Sequence, residues 1–414
     1  MSGDGRKVVV LGMITRMPVG GVVWQTVHYL LSLRRLGYEP YYVETHALNP
    51  SMFTSREGDN GSERAAAFLA KVMHEFDLDG RWSYHALHDD GRFYGLSRER
   101  VERLYSDAAL IVNLHGGTEP RPELSASGRL VYLQTDPVML QVELHNDFEY
   151  ALDFLEPHCA FFTFAENAGA DDCGMPVDER FEFHPTRQPV LVDRWARPEI
   201  VPRDVFTTIG NWRQRWRDVR LYTERYSWSK DQEWSKFIGL PGRTGRSFEL
   251  ALGSYTDDDE RMLREHGWAV TRGLDVSSDP WAYRDYVARS RAEFTVAKDQ
   301  NVRLRTGWFS DRSATYLAAG RPVITQDTGF ECALPVGEGL FPFSDVEGAA
   351  DAVARVDAGY ARHSEAASAI AREFFAGEKV VADILNRVGL EAPRGRERAG
   401  AGGAAVPSEV TDAA

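Results

Sequence analysis

The chain has 414 residues, 43% of them hydrophobic and 27% charged, with a net charge of −14. That length exceeds one ordinary core and implies two domains of roughly 150–200 residues each. The acidic balance argues against nonspecific binding to nucleic acid or an anionic membrane, and no apolar run approaches the roughly 20 residues a bilayer span needs. Three cysteines, Cys159, Cys173 and Cys332, form no CxxC pair. The expectation is free thiols in a reducing cytoplasm, without a disulfide framework or structural zinc.

The elements are taken in chain order. "KVVVLGMI" (7–14) is an unbroken apolar run, as a strand buried on both faces should be, rather than a signal peptide. The turn "TRMPVGG" leads into "VVWQTVHYLLSLRRLG", whose apolar residues recur at helical spacing and stop at Gly37. "YEPYYVETH" completes a βαβ unit, so the sheet is parallel. Residues 51–105 look helical and loop-rich. Further strands are expected at 109–117, 129–137 and 160–169.

The stretch 183–204 carries Pro185, Pro189, Pro198 and Pro202 and reads as a connector. The alternation then restarts through "VFTTIGNW", "SFELALG", "WAVTRG", "AEFTVAK", "RPVITQDTG" and "GLFPF". Asp257, Asp258 and Asp259 favour a helix N-terminus. One or two surface helices close the second half. The boundaries read from this are 1–190 for a first Rossmann-like domain and 191–390 for a second, whose last helix is allowed to pack back on the first. A Gly/Ala-rich tail, 391–414, is expected to be disordered. Ligands of open parallel sheets bind beyond the carboxyl ends of the strands, so a site is expected in a cleft between the two sheets.

Several polar residues stand where strands end. Gly20 and Gly21 follow the first strand, and the helix there offers free N–H groups to an anion; a tight turn without a ligand is the competing reading. His115, Asp136 and Glu166 each follow a strand of the first half and are candidates for proton transfer, Asp136 first. In the second half Arg213, Arg215 and Arg217 follow a strand, where a guanidinium suits a diphosphate and a solvated basic face is the alternative. Lys298 ends another strand. Ser310, Asp311, Arg312 and Ser313 open a helix that closes at Gly320, and their free N–H groups and hydroxyls suit a phosphate. No metal-ligand spacing is present.

The run "GWFSDRSATYLAAGRPVITQDTGF", with "MPVGGVVWQ" in the first half, resembles the glycosyltransferases of the two-Rossmann-domain type, called GT-B, and most closely their group-1 (GT4-like) branch. "LAAGRPVI" is the most specific piece. The resemblance implies an α/β protein with two parallel sheets facing across a deep cleft. It implies an enzyme that moves a hexose-like sugar, without metal or cofactor, from a nucleoside diphosphate sugar (UDP or GDP) to a soluble small molecule. Lys298 and one arginine, Arg213 foremost, are then diphosphate contacts. Ser310–Ser313 form the phosphate mouth, Gly20 and Gly21 border the donor, and His115 is the histidine near the sugar. The paired glutamates of that branch fall here on Gly307 and Thr315, which leaves Thr315 or another residue to hold the ribose. The His/Gly-rich signature of the macrolide-type transferases is absent.

The arginine-rich, lysine-poor composition fits a high-GC bacterium, and with it an acceptor from secondary metabolism such as antibiotic biosynthesis. A nucleotide-sugar epimerase of the same fold and a catalytically inactive partner subunit are the competing readings. A homodimer is admitted by the sequence but not indicated by any residue in it.

Overall fold

The computed structural model describes residues 6–45, 51–54, 60–87, 89–214 and 217–391. Arg215 and the expected tail from 392 onward lie outside them. The first sheet comprises β1 (Lys7–Leu11), β2 (Glu39–Glu44), β3 (Trp82–His85), β4 (Phe93–Gly95), β5 (Leu110–Leu114), β6 (Leu130–Gln134), β7 (Ala160–Thr163) and β8 (Phe183–Pro185), in the order β4-β3-β2-β1-β5-β6-β7-β8. Only the β3–β4 pair is antiparallel. The second sheet draws on β9 (Phe206–Asn211), β12 (Phe248–Gly253), β13 (Trp268–Arg272), β14 (Ala292–Thr295), β15 (Val323–Gln326) and β16 (Leu340–Phe343). Its order is β13-β12-β9-β14-β15-β16, all parallel. A hairpin of β10 (Val219–Leu221) and β11 (Glu224–Tyr226) stands apart from both.

The fold class is the one the sequence implies. Val8–Leu11 of β1 are at most 1% exposed, as strands covered by helices on both faces must be. Three details differ from the reading of the sequence. Residues 51–105 hold β3 and β4, too short and polar to register as strands. The basic loop after β9 contains the β10–β11 hairpin. The proline-rich stretch is not a loose connector: it supplies β8, and its Trp195 is fully buried.

The helices that shape the cleft are α1 (Gly20–Arg35), α2 (Met139–His145), α3 (Glu149–Leu155), α4 (Pro280–Arg289), α5 (Asp311–Ala318) and α6 (Gly377–Arg387). Helix α1, from the first half, packs on α4 of the second, and α6, last in the described chain, crosses back onto α1. At that crossing a side chain on Gly377 would stand 2.1 Å from Ser32 Oγ, so only glycine allows the approach. One hydrophobic core runs through the seam, joining Trp24 and Trp195 to Tyr283 and Phe309. Among the described residues no helix is long and apolar enough to cross a membrane.

His28 lies in this seam, fully buried. Trp195 Nε1 donates to its Nε2 at 2.8 Å, so that nitrogen must stay unprotonated. Burial pushes its pKa down to about 3. A lowered folded value means that, between pH 6.5 and 3, the unfolded chain binds a proton the folded chain refuses. Stability is therefore present above the unfolded value and is lost as pH falls through that window, by at most about 1.4 kcal/mol per unit. His28→Gln should show a shallower loss below pH 6.5 than wild type, despite lower stability at pH 7. Urea midpoints measured from pH 7 to 4 check this, and parallel slopes would refute it.

Candidate active site

Three cavities run end to end along the seam, where the carboxyl ends of the two sheets meet. The first, of about 600 Å³, lies between the start of α1 and the ends of β9 and β12, with Gly21, Val22, Gly210, Ser254 and Tyr283 in its wall. The middle one, of about 180 Å³, is bounded by Trp228, Lys230, Lys298, Trp308 and Ser310. The third, of about 530 Å³, is enclosed by the ends of β5 and β6 and by α2 and α3. Asn211, Asp311 and Arg312 border both the first and the middle cavity, while Asp136 and Trp228 border both the middle and the third. The three form one cleft.

The middle cavity is rich in buried positive charge. Lys298 follows β14, and its ammonium is ion-paired with Asp136 of the opposite half. It also lies 3.2 Å from the centroid of the Trp228 ring. Burial draws the Lys298 pKa down, and Asp136 opposes that. Lys230 Nζ donates to the Val296 carbonyl at 2.7 Å. Burial, helped by the charges of Arg312 and Lys298, draws the Lys230 pKa well below the ordinary range. Of the two ammonium groups only Lys298 has a carboxylate in ion-pair contact, Asp136, so the cavity suits a bound anion.

Helix α5 opens onto the same space. Its N-cap Ser310 has extended backbone (φ −72°, ψ 136°) and makes no side-chain cap. The first bond of the helix is Ala314 N–H to Ser310 O at 3.0 Å, so the N–H groups of the preceding turn have no acceptor within the helix. The Asp311 carboxyl takes part of that role: burial pushes its pKa up, while Arg312 and the N–H groups of residues 311 and 312 hold it down.

Arg312 is turned away from any ligand. It pairs with Glu293, which has no exposure, and donates to Ile209 O at 2.7 Å and Thr295 Oγ1 at 3.0 Å. It reaches the cleft as a wall and acts as a buried brace, not a free phosphate hand.

In the third cavity, His115 Nδ1 is 2.9 Å from Thr135 Oγ1, and Nε2 is closed off from solvent with no hydrogen-bond partner. Burial pushes this imidazole down to about 4, so it is neutral near pH 7. His115 has φ 67° and Val138 φ 93°, positions that cost a non-glycine residue about 1–3 kcal/mol each. The two strained residues flank the loop that carries Asp136. Glu143, only 8% exposed, also lines this cavity, and burial raises its pKa.

Of the residues expected from the sequence, the structure brings together His115, Asp136, Lys298, Ser310, Asp311 and Gly21. Others stand elsewhere. Glu166 pairs with Arg187 in a separate pocket beside Phe374 and Lys379. Arg213 is held by Asp259 at 2.6 Å and Asp231 at 3.2 Å, bracing the loop after β9 against the capped start of the 257–265 helix. Gly20 is packed on Tyr283: a side chain there would meet Tyr283 Cβ at 2.5 Å. Ser313 is fully buried beneath the mouth. Thr315 is also buried and donates to its own helix, at Arg312 O, 2.6 Å away.

Gly307 has φ 77°, and an added Cβ would strike Asn167 N at 2.4 Å, so the acidic residue of the resembled pattern has no room there. Lys230, Trp228, Trp308 and Glu143 were not anticipated. Trp308 stands inside the quoted "GWFSDRS" run without a role given to it, and the "WSK" run 228–230 follows a basic loop. Among the described residues no three His, Cys, Asp or Glu side chains are grouped to hold a metal ion.

No family model and no curated protein matches this sequence. Solved structures do. AviGT4, a glycosyltransferase involved in avilamycin A biosynthesis, superposes with a TM-score of 0.52 at 14% identity, over 92% of this chain and 96% of that one. HepE of Anabaena in complex with UDP superposes with a TM-score of 0.53 at 11% identity, over 93% and 99%. Its complex with UDP-glucose gives 0.52 at 12% identity, over 92% and 99%. At such identity the likeness establishes the fold: this chain has the GT-B architecture.

The Arg312–Glu293 pair yields a stability prediction. Glu293→Gln leaves a buried guanidinium without its counter-charge, and urea unfolding should show a loss of about 3–5 kcal/mol. A loss below about 1 kcal/mol would mean that Arg312 does not depend on Glu293.

Proposed function

We propose that this chain is a glycosyltransferase that moves a sugar from a nucleoside diphosphate sugar to a small soluble acceptor without a metal ion. The observation that carries the reading is the middle cavity. Lys230, Lys298 and the mouth of α5 converge there, with a nucleoside-sized space on one side and a second space of about 530 Å³ on the other. In this reading residues 191–390 hold the donor and residues 1–190 hold the acceptor.

Each part of the cleft has a task. The first cavity takes the nucleoside, and Asp311 accepts its ribose hydroxyls, the part expected of Thr315 one turn later. Lys230, Lys298 and the N–H groups of α5 hold the diphosphate and stabilise its charge as it leaves. Preorganised donors of this kind are usually the largest catalytic term. The bond from the anomeric carbon to the diphosphate oxygen breaks, and a bond from that carbon to an acceptor oxygen forms.

Asp136 stands where the middle and third cavities meet, so its carboxylate takes the acceptor proton. The diphosphate gives Lys298 an alternative anionic partner and frees Asp136 for this role. One displacement with a base on the acceptor side inverts the anomeric centre. The third cavity gives a second ligand room beside the diphosphate position, which favours transfer over an epimerase, which has no acceptor to hold.

UDP-sugars come first in testing because HepE was solved with UDP and UDP-glucose. Lys298→Ala and Lys230→Ala should each lower turnover about 10²–10³-fold, the cost of one such donor, with near-UV circular dichroism unchanged. Wild-type turnover in both variants would sink the diphosphate assignment. Anomeric coupling constants of the product should report inversion, and retention would remove Asp136 as the base.

A further inference from the structure

We infer that the acceptor carries an ammonium group and is glycosylated on a neighbouring hydroxyl. This rests on the transfer reading above and specifies its acceptor. The third cavity, of about 530 Å³, is lined by four carboxylates, Glu119, Asp136, Glu143 and Asp153, against one guanidinium, Arg217. Asp136 is neutralised by Lys298. Arg217 lies over the Trp228 ring, 5.0 Å from its centroid, at the donor edge of the cavity. The Arg217 charge also acts on Glu143, so three carboxylates, Glu119, Glu143 and Asp153, share that single guanidinium and the wall keeps a net negative charge.

Glu143 sets this wall apart from an ordinary acidic surface. It is 8% exposed, it makes no ion pair among the described residues, and its only side-chain partner there is the Tyr150 hydroxyl. Burial makes the Glu143 carboxylate costly to ionise, and Tyr150 and the Arg217 charge offset only part of that; a ligand ammonium offsets more. Tyr132 and Phe154 meet edge to face with centroids 5.2 Å apart. Gly116 leaves room for both rings, since a Cβ there would come to 3.0 Å from each. Both rings line the cavity, and aromatic faces attract an ammonium in their own right.

His115 lines the same space, and its buried Nε2 has no hydrogen-bond partner among the described residues. The carboxylates are not grouped as a metal set. Their spread suits an organic cation with more than one contact.

The chemistry follows from the charge. A protonated amine has no lone pair for attack, so an acceptor held by its ammonium reacts through oxygen. The hydroxyl proton passes to Asp136, the new carbon–oxygen bond forms, and the nucleoside diphosphate departs.

The test uses the full chain and calorimetry, with and without UDP. Three amines, glucosamine, 2-deoxystreptamine and neamine, are each compared with a neutral counterpart: glucose, myo-inositol and tetra-N-acetylneamine. At least one amine should bind more than tenfold tighter than its counterpart. Glu143→Gln should abolish that preference, and Glu143→Asp should restore part of it. If no amine exceeds its counterpart tenfold, or if Glu143→Gln keeps the preference, the inference is overturned. UDP binding is measured separately, so its failure strikes the transfer reading and leaves the amine result to stand or fall alone.

Discussion

A single lysine ammonium organises the cleft. Lys298 comes from the second half, its counter-ion Asp136 from the first, and the Trp228 face closes the third side. The pair joins the halves at the point where the middle and third cavities touch. Trp308 reinforces it, with Nε1 donating to Thr135 O at 3.0 Å across the same seam. Burial alone would drive the ammonium toward neutrality, and the carboxylate opposes that. The boundary between the middle and third cavities depends on this contact.

The helix mouth obeys a related constraint. Asp311 opens it with a carboxylate, and Arg312 is committed inward to Glu293. An anion entering here meets N–H groups and lysines, not the arginine that the sequence seemed to offer. The side chain with the greatest apparent suitability for phosphate is spent on holding the helix to the sheet, while Lys230, from a loop of little sequence character, stands at the cavity.

The sequence carried the architecture well, because alternation of apolar runs and helical periodicity is a local signal. β1, α1 and the "LAAGRPVI" segment could be read directly, and so could the strand ends that bear His115, Asp136 and Lys298. What could not be read is where a charged side chain spends its charge. Arg213 and Glu166 stand at strand ends like the others, yet Asp259 and Arg187 claim them through contacts 46 and 21 residues away in the chain. Thr315 sits on the right helix but bonds to its own backbone. Gly307 looked like a lost acid, and the structure gives a steric reason: Asn167 N occupies the space. β3, β4 and β8 escaped notice because three or four residues are too few for a period.

The core that runs through the seam bears on how the cleft is entered. Trp24 donates to Pro280 O at 2.7 Å and meets Trp195 at a tilt and Trp281 edge to face, with ring centroids 5.1 and 5.3 Å away. A wide hinge opening would draw these indoles apart and expose them to water, at about 25 cal/mol for every Å² uncovered. The seam therefore favours movements of side chains and loops at the cleft rim over a wide separation of the two halves.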